Sequence, residues 1–531
     1  MRKKHFLFAS VLALLCGSST LHAQDFKLTS SGYFKNQGVD VMAFDDIYPE
    51  GHQGGVCIIM NGHRVATNGD IRLEATPGQW QPVPKQLDRK LGDNSITATL
   101  CYPDSSRHLT GFNPMIYPDL HLIYTVNVES KGKNIEVTVD LDRPIPQEFI
   151  GKVGFNLEFF PGSLFGKPWI MDGQSGIFPQ QPNSPLMTTQ PNYLHTGNYH
   201  DGKKSLADMD KLIGKGYSPI VADDIISEPY AKGTKFTSRP DDPYNKVTIE
   251  SLSGDLQLFD GRMNHNNGWF VLRSNIKPGV TKGAVKWIIT PNVVADWMYQ
   301  PVIQTSQIGY HPTQDKEAVI EMDIRDNRKE TAQIIRIDAD GEKVVKNVTP
   351  ANWGKFLRYN YLKVNFTDVK EPGLYKIKYN TSVSPIFRID NDVYARGVWQ
   401  PVLEYFLPVQ MCHMRVNEKY RVWHDCCHMD DAQMAPAHNH IDGYDQKEGL
   451  SKFKPGEVVP GVNIGGWHDA GDFDLRIESQ AGESYILALA YEAFHPNLDV
   501  TSIDQINRVT EIHQPDGKND LLQQVENGAL T

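Results

Sequence analysis

Residues 465–474 read Gly465-Gly466-Trp467-His468-Asp469-Ala470-Gly471-Asp472-Phe473-Asp474. Two carboxylates three residues apart, with only Ala and Gly between them, can project the same way from one turn, and the small residues let a substrate or water approach the backbone. Neighbouring carboxylates also shift each other's proton affinity, which suits a general base that activates water. A bare Asp-x-x-Asp is more often an Asx-type turn, or a capping loop ahead of the helical run near Ile477. A calcium loop fits poorly, because Asp469, Asp472 and Asp474 do not follow the alternation such a loop requires.

Helical periodicity surrounds this run. Val398, Val402, Tyr405, Phe406 and Val409, with Asp392 near the start, predict a helix over residues 392–414. Ala481, Tyr485, Ala488, Leu489 and Glu492 predict a second over about 477–494, closed by Pro496. A third starts after Asp520 with Leu521, Leu522 and Val525 on one face, and neither Gly nor Pro ends it before Thr531.

Upstream of residue 391 the period is two. Leu122, Tyr124, Val126 and Val128 alternate, Ser130-Lys131-Gly132-Lys133 punctuates, and Ile135, Val137, Val139 and Leu141 alternate again, which predicts a hairpin with one buried face. Similar runs predict a large β-sandwich over residues 24–300. Between Met171 and Tyr199, Pro179, Pro182, Pro185 and Pro191 predict a long ordered loop. Over residues 301–390, Ile335 and Ile337 precede an Asp340-Gly341 turn, and Pro372-Gly373 introduces Tyr375, Ile377 and Tyr379. Short strands with regular turns over such a length predict a small immunoglobulin-like sandwich.

A chain of 531 residues with 40% hydrophobic and 22% charged residues is globular and multidomain, at ~150 residues per domain. Its net charge of −11 makes nucleic acid and anionic membrane surfaces poor partners. Arg2-Lys3-Lys4, the apolar run Phe6 to Leu15 and Leu21-His22-Ala23 have the layout of a signal peptide over residues 1–23. The expected location is therefore periplasmic or extracellular, with lipid anchoring through Cys16 a minor alternative, since Leu15 is not the small residue such sites use. No later stretch reaches the ~18 apolar residues of a membrane span.

Five cysteines follow that leader. Cys57 and Cys101 can form a disulfide or stand as two buried thiols. Cys412, Cys426 or Cys427, and His428 supply thiolate and imidazole at spacings compatible with a tetrahedral zinc site, if one more ligand arrives from elsewhere. The alternative is a Cys412 to Cys426 disulfide beside one buried thiol. Trp467, Trp423 and Tyr444 flank these motifs and can stack on sugar faces or pack into the core.

Taken whole, residues 465–474 resemble the GGW(H/Y)DAGD signature of glycoside hydrolase family 9, inverting cellulases built on an (α/α)6 barrel. Gln307-Ile308-Gly309-Tyr310-His311-Pro312 is similar to the phrase opening the immunoglobulin-like domain that precedes the barrel in one branch of that family. The resemblance covers about residues 302–531. It implies an N-terminal β-sandwich, an immunoglobulin-like sandwich, then over residues 391–531 the beginning of an all-α (α/α)6 barrel, because twelve helices of ~11–12 residues do not fit in that span.

By position, the resemblance implies Asp472 as the general base and Asp469 as the second Asp holding the water. Inversion places the acid roughly 6.5–9.5 Å from the base, on another segment. The Glu that supplies it in the family has no match in this sequence, so the chain as written is expected to have little hydrolase activity. The resemblance further implies a structural zinc held by Cys412, Cys427, His428 and His468, with His438 and His440 as substitutes for the fourth ligand. The resulting expectation is a secreted inverting endo-β-1,4-glucanase-like hydrolase whose partner is β-glucan or a related polysaccharide. A non-catalytic carbohydrate-binding or scaffold protein is the alternative.

Overall fold

The computed structural model describes residues 25–45, 54–74, 76–77, 84–102, 120–184, 186–188, 225–263, 268–430, 432–434, 438–439, 445–446, 451–470 and 473–531. The chain divides at Met298 and Tyr299 into two compact units. Strands predominate in both, and helices are few.

The first unit pairs two nine-stranded sheets, counted among the described residues. His63–Leu73, Val153–Phe159 and Phe270–Asn275 are adjacent in the first sheet, and Ile123–Lys131, Asn134–Leu141 and Val285–Pro291 belong to the second. The expected hairpin forms with Lys131 opposite Asn134, and Gly132 takes a φ of 66° in the turn. That backbone region carries no steric penalty for glycine. Tyr124, Val126, Val128, Ile135, Val137 and Val139 are buried, as period two requires.

The sheets meet through aromatic side chains. Phe155 packs edge-on against Trp287 at 5.0 Å and Phe159 against Phe236 at 5.8 Å, contacts worth ~0.5–1.5 kcal/mol each beyond simple burial. Cys57 and Cys101 are thiols rather than a disulfide. Buried Cys57 lies 3.0 Å from the Thr67 hydroxyl. The 171–199 stretch differs from the loop expected of it: Gln174–Ile177 forms a hairpin with Pro168–Met171, and Leu186–Thr188 pairs with Ile225–Ser227. Pro179 and Pro182 fall between these strands and so break none of their ladders, while Pro185, Pro191 and residues 189–199 as a whole lie outside the described residues.

The second unit opens with the immunoglobulin-like sandwich. One sheet runs Val302–Gln304, Glu317–Asp323, Tyr359–Asn365, Ala351–Phe356, and the other contains Gly341–Val348, Ala332–Asp338 and Gly373–Tyr379. Ile320, Leu362, Ile334, Ile377 and Tyr375 fill the space between them. The Gln307–Pro312 phrase has a structural purpose here. Gly309 takes a φ of 105° and a Cβ there would strike the Arg388 carbonyl oxygen, while the Tyr310 hydroxyl donates to the Glu317 carbonyl at 3.0 Å.

Past residue 391 the helices only partly follow expectation. Instead of a helix over 392–414, a π-helical turn at Val402–Phe406 runs into the short helix Leu407–Gln410. Pro401 and Pro408 lack the amide that a longer ladder needs, and His413, at a φ of 60°, turns the chain away. The other two helices form at Ile477–Phe494 and Asp520–Ala529. His495, left-handed at a φ of 44°, ends the first ahead of Pro496, and the Asn519 side chain accepts from Leu521 N and Leu522 N to cap the second.

The face expected of the last helix is incorrect. Leu521 is buried but Leu522 is exposed, and the inward side carries Gln523, Gln524 and Asn527. A small sheet of Arg421–His424, Arg415–Glu418, Val509–Ile512 and Thr501–Asp504 completes this part. No helix among the described residues is long and apolar enough to cross a membrane.

Candidate metal centre and the acidic loop beside it

Two chain segments are tied side by side where the short helix ends. The His468 amide donates to the Gln410 carbonyl at 2.8 Å, Met411 bridges to Trp467, and the Cys412 amide donates to the Gly466 carbonyl at 2.8 Å. Gly466 carries a φ of 81°, and a Cβ there would collide with the Gln480 side chain. This pairing brings Cys412 and His468 together across more than fifty intervening residues. A third segment arrives from the Arg421–His424 strand, held by His424 Nε2 at 3.0 Å from the Val409 carbonyl, and presents Cys427 and His428.

Four donor atoms converge there. Cys412 Sγ lies 3.6 Å from Cys427 Sγ and 3.0 Å from His428 Nδ1, while Cys427 Sγ lies 3.1 Å from His468 Nε2. All four lie within 4.8 Å of one another. Ligand bonds of ~2.0–2.3 Å give tetrahedral edges of roughly 3.3–3.8 Å, so these three contacts lie within about half an ångström of the edges a bound zinc would set. A sulfur separation of 3.6 Å is far beyond the ~2.05 Å of a disulfide. The Cys412 to Cys426 disulfide does not form either, since Cys426 is exposed, with its sulfur 4.0 Å from the Arg508 carbonyl.

The electrostatics favour a thiolate. The contact with Cys412, then those with His424 and His468, pull the Cys427 thiol far below its usual range against the opposing effect of burial. The same thiol raises the proton affinity of His424. Two thiolates and two imidazoles would balance a divalent cation, so the donor set fits zinc, with no position left over for a reacting water. The second nitrogen of His468, Nδ1, is buried with no hydrogen-bond partner among the described residues.

The acidic loop begins one residue later. The Asp469 amide donates to the Asp474 carbonyl at 2.9 Å, closing the turn, and Phe473 adopts a φ of 62°. Arg476 Nε stands 3.3 Å from the Asp469 carboxylate and 2.7 Å from that of Asp474, while Ser479 Oγ approaches Asp469 at 3.5 Å. Burial and the nearby Asp469 both raise the proton affinity of Glu483. Asp472, Tyr444, His440 and the His438 side chain lie outside the described residues.

The aromatic expectations divide. Trp467 is a core residue and not a sugar platform: it is 2% exposed, and its indole N–H donates to Gln524 Oε1 at 2.8 Å. Its ring is packed against Gly528, where a Cβ would collide with it. Trp423 is 39% exposed, with one face under the Arg421 guanidinium at 4.8 Å and its N–H 3.3 Å from Glu418. Sequence spacing gave no sign of His424, Gln480 or Gln524, and for Arg476 the one signal was its place two residues from Asp474.

Residues 298–384 match the family model described as the cellulase N-terminal immunoglobulin-like domain, where alternation in the sequence placed such a domain at 301–390. No curated protein matches the chain. Among solved structures it is similar to a zinc-binding triple mutant of the GH family 9 endoglucanase J30, at 23% identity, with 41% of this chain and 37% of that one covered and a TM-score of 0.31. It is also similar to a GH9 protein of Bacteroides ovatus, at 20% identity, 43% and 37% coverage and a TM-score of 0.32. The chain thus spans 37% of the length of each of these two structures. Over residues 298–384 it carries a cellulase N-terminal immunoglobulin-like domain.

Proposed function

We propose that the chain holds the water-activating half of a secreted, inverting glycoside hydrolase that acts on β-linked glucan, of the endo-β-1,4-glucanase kind. Asp472 is the general base, Asp469 helps hold the water it activates, and residues 391–531 begin an (α/α)6 barrel. The observation that carries this reading is the convergence of Cys412, Cys427, His428 and His468, because His468 is covalently next to Asp469.

Zinc bound there would supply no chemistry of its own and would fix three chain segments as one support. With His468 so held, Asp469 is positioned by its covalent neighbour and by the bond from its amide to the Asp474 carbonyl. Arg476, with Nε 3.3 Å from the Asp469 carboxylate, holds that carboxylate in place as an acceptor for the water. No residue of the chain is assigned the role of general acid. Residues 1–23 are the export leader, and they lie outside the described residues.

β-Cellobiosyl fluoride tests the base without the acid, because fluoride departs with little need of a proton. The expected result is fluoride release with α-cellobiose as the first product, reduced ~10²–10⁴-fold in Asp472→Ala. Release of β-cellobiose, or unchanged turnover in that variant, overturns the reading. No release at all, with β-glucan binding retained, favours a non-catalytic carbohydrate-binding protein.

A further inference from the structure

The immunoglobulin-like sandwich carries a row of aromatic rings that its core does not use. Across the adjacent strands Glu317–Asp323, Tyr359–Asn365 and Ala351–Phe356, Glu321, Tyr361 and Gly354 share one register row, and Asp323, Tyr359 and Phe356 share another. Ile320 and Leu362, next to Glu321 and Tyr361 in their strands, fill the core, so these two rows face away from it. The rings touch in sequence: Tyr299 and Tyr359 at 5.0 Å, Tyr359 and Tyr361 at 6.1 Å, Tyr361 and Trp353 at 5.6 Å.

Hydrogen bonds hold this row in place. The Tyr299 amide donates to Asp323 Oδ2 at 3.0 Å, and the hydroxyls of Tyr299 and Tyr361 donate to the two oxygens of Glu321 at 2.8 and 3.2 Å. Trp353 is the extra residue of a bulge. The register shifts between Asn352 and Gly354, and Gly354 takes a φ of 126°, which glycine adopts without steric penalty. The indole meets Tyr361 at an interplanar angle of 89°, a contact that covers at most one of its faces, and Trp353 is 57% exposed. Nearby, the Tyr359 hydroxyl and the exposed Gln304 side chain make no hydrogen bond among the described residues.

We propose that this face is an open binding surface for a neutral, β-linked polysaccharide chain, with the exposed face of Trp353 as its main stacking platform. The charges around the rings cancel. Lys363 pairs with Glu317 at 2.7 Å and Arg325 with Asp323 at 2.7 Å, while Arg358 lies over the Tyr359 ring and Glu321 is engaged by its two tyrosine hydroxyls. Three cations against three carboxylates complement an uncharged partner and give no advantage to a polyanion or to a charged protein surface. A pyranose presents C–H groups on its face and hydroxyls around its rim, which suits an exposed indole with an unbonded hydroxyl and amide nearby. Four rings in contact suit an extended chain better than a single sugar, and their fixed positions lower the ordering cost of binding. The surface uses no residue of the metal centre or the acidic loop, so it does not depend on the hydrolytic reading.

The test is affinity electrophoresis of the full chain through native gels containing mixed-linkage β-glucan, xyloglucan or glucomannan, with polygalacturonate as the anionic counterpart. At least one neutral polymer is expected to retard the parent, with affinity about tenfold weaker in Trp353→Ala and a smaller loss in Trp353→Phe, which keeps a ring. Trp353→Ala is expected to fold, because the side chain is exposed, and circular dichroism checks this. The proposal is overturned if no neutral polymer retards the parent, if folded Trp353→Ala is retarded as strongly as the parent, or if polygalacturonate retards it more than the neutral polymers do. Retardation lost in Asp469→Asn but kept in Trp353→Ala also overturns it, and places the binding at the acidic loop. A parent dimer that Trp353→Ala makes monomeric, with retardation unchanged, overturns it in favour of a second copy of the chain on this face.

Discussion

The indole N–H of Trp467 donates to Gln524 Oε1 at 2.8 Å, which ties the residue before His468 to the last helix of the chain. This bond makes Trp467 part of the frame under the metal centre. Trp467→Phe strands a buried amide oxygen and is expected to cost ~1–3 kcal/mol in urea unfolding. Trp467→Ala is expected to cost ~3–5 kcal/mol. Trp423→Ala, on the exposed strand, should stay within about 0.5 kcal/mol of the parent.

Gly309 offers a second contrast. Gly309→Ala is expected to lower stability by more than ~2 kcal/mol, because the new methyl meets the Arg388 carbonyl oxygen as well as an unfavourable φ of 105°. Gly341→Ala has a φ of 125° but nothing within 4 Å, so only the conformational cost of ~1 kcal/mol applies. Equal losses in the two variants would show that the close approach to Arg388 is unimportant.

Asp520 gives the pH dependence a sign. Burial raises its carboxyl from 3.8 to about 6, against the hydrogen bonds it accepts from Val500 N and Thr501 N, and Asp499 and Asp516 push the same way as burial. The folded state therefore holds this proton more tightly than the unfolded state does. Its contribution is fully present below pH ~4 and is lost as pH rises through about 6. The urea midpoint is expected to fall across that window in the parent and to fall less in Asp520→Asn. A midpoint that rises equally in both would contradict this assignment.

Much of the strand architecture was legible because alternation is a local signal: Tyr124 to Leu141 and Tyr375 to Tyr379 bury every second side chain. Cys412, Cys427, His428 and His468 were legible through the resemblance, and their donor atoms do converge. What failed depended on distant partners. Nothing near Trp467 reveals that Gln524 will take its N–H, or that the last helix turns amides inward where Leu522 was expected. The helix over 392–414 failed because Pro401 and Pro408 outweighed a correct apolar spacing. Within the helix Ile477–Phe494 the reverse holds: its extent was legible, yet Tyr485, Ile486, Leu489 and Phe494 are exposed and Gln480 is buried.

Cys412, Cys427, His428 and His468 are proposed to hold one zinc beside Asp469. The most direct measurement is metal content of the purified full chain by mass spectrometry, joined to X-ray absorption at the zinc edge. One zinc per chain is expected, with two sulfur and two nitrogen neighbours at ~2.3 and ~2.0 Å, and with the zinc lost in both Cys412→Ser and His468→Ala. A metal-free protein with Cys412 in a disulfide, or zinc retained at full occupancy in both variants, would contradict the account.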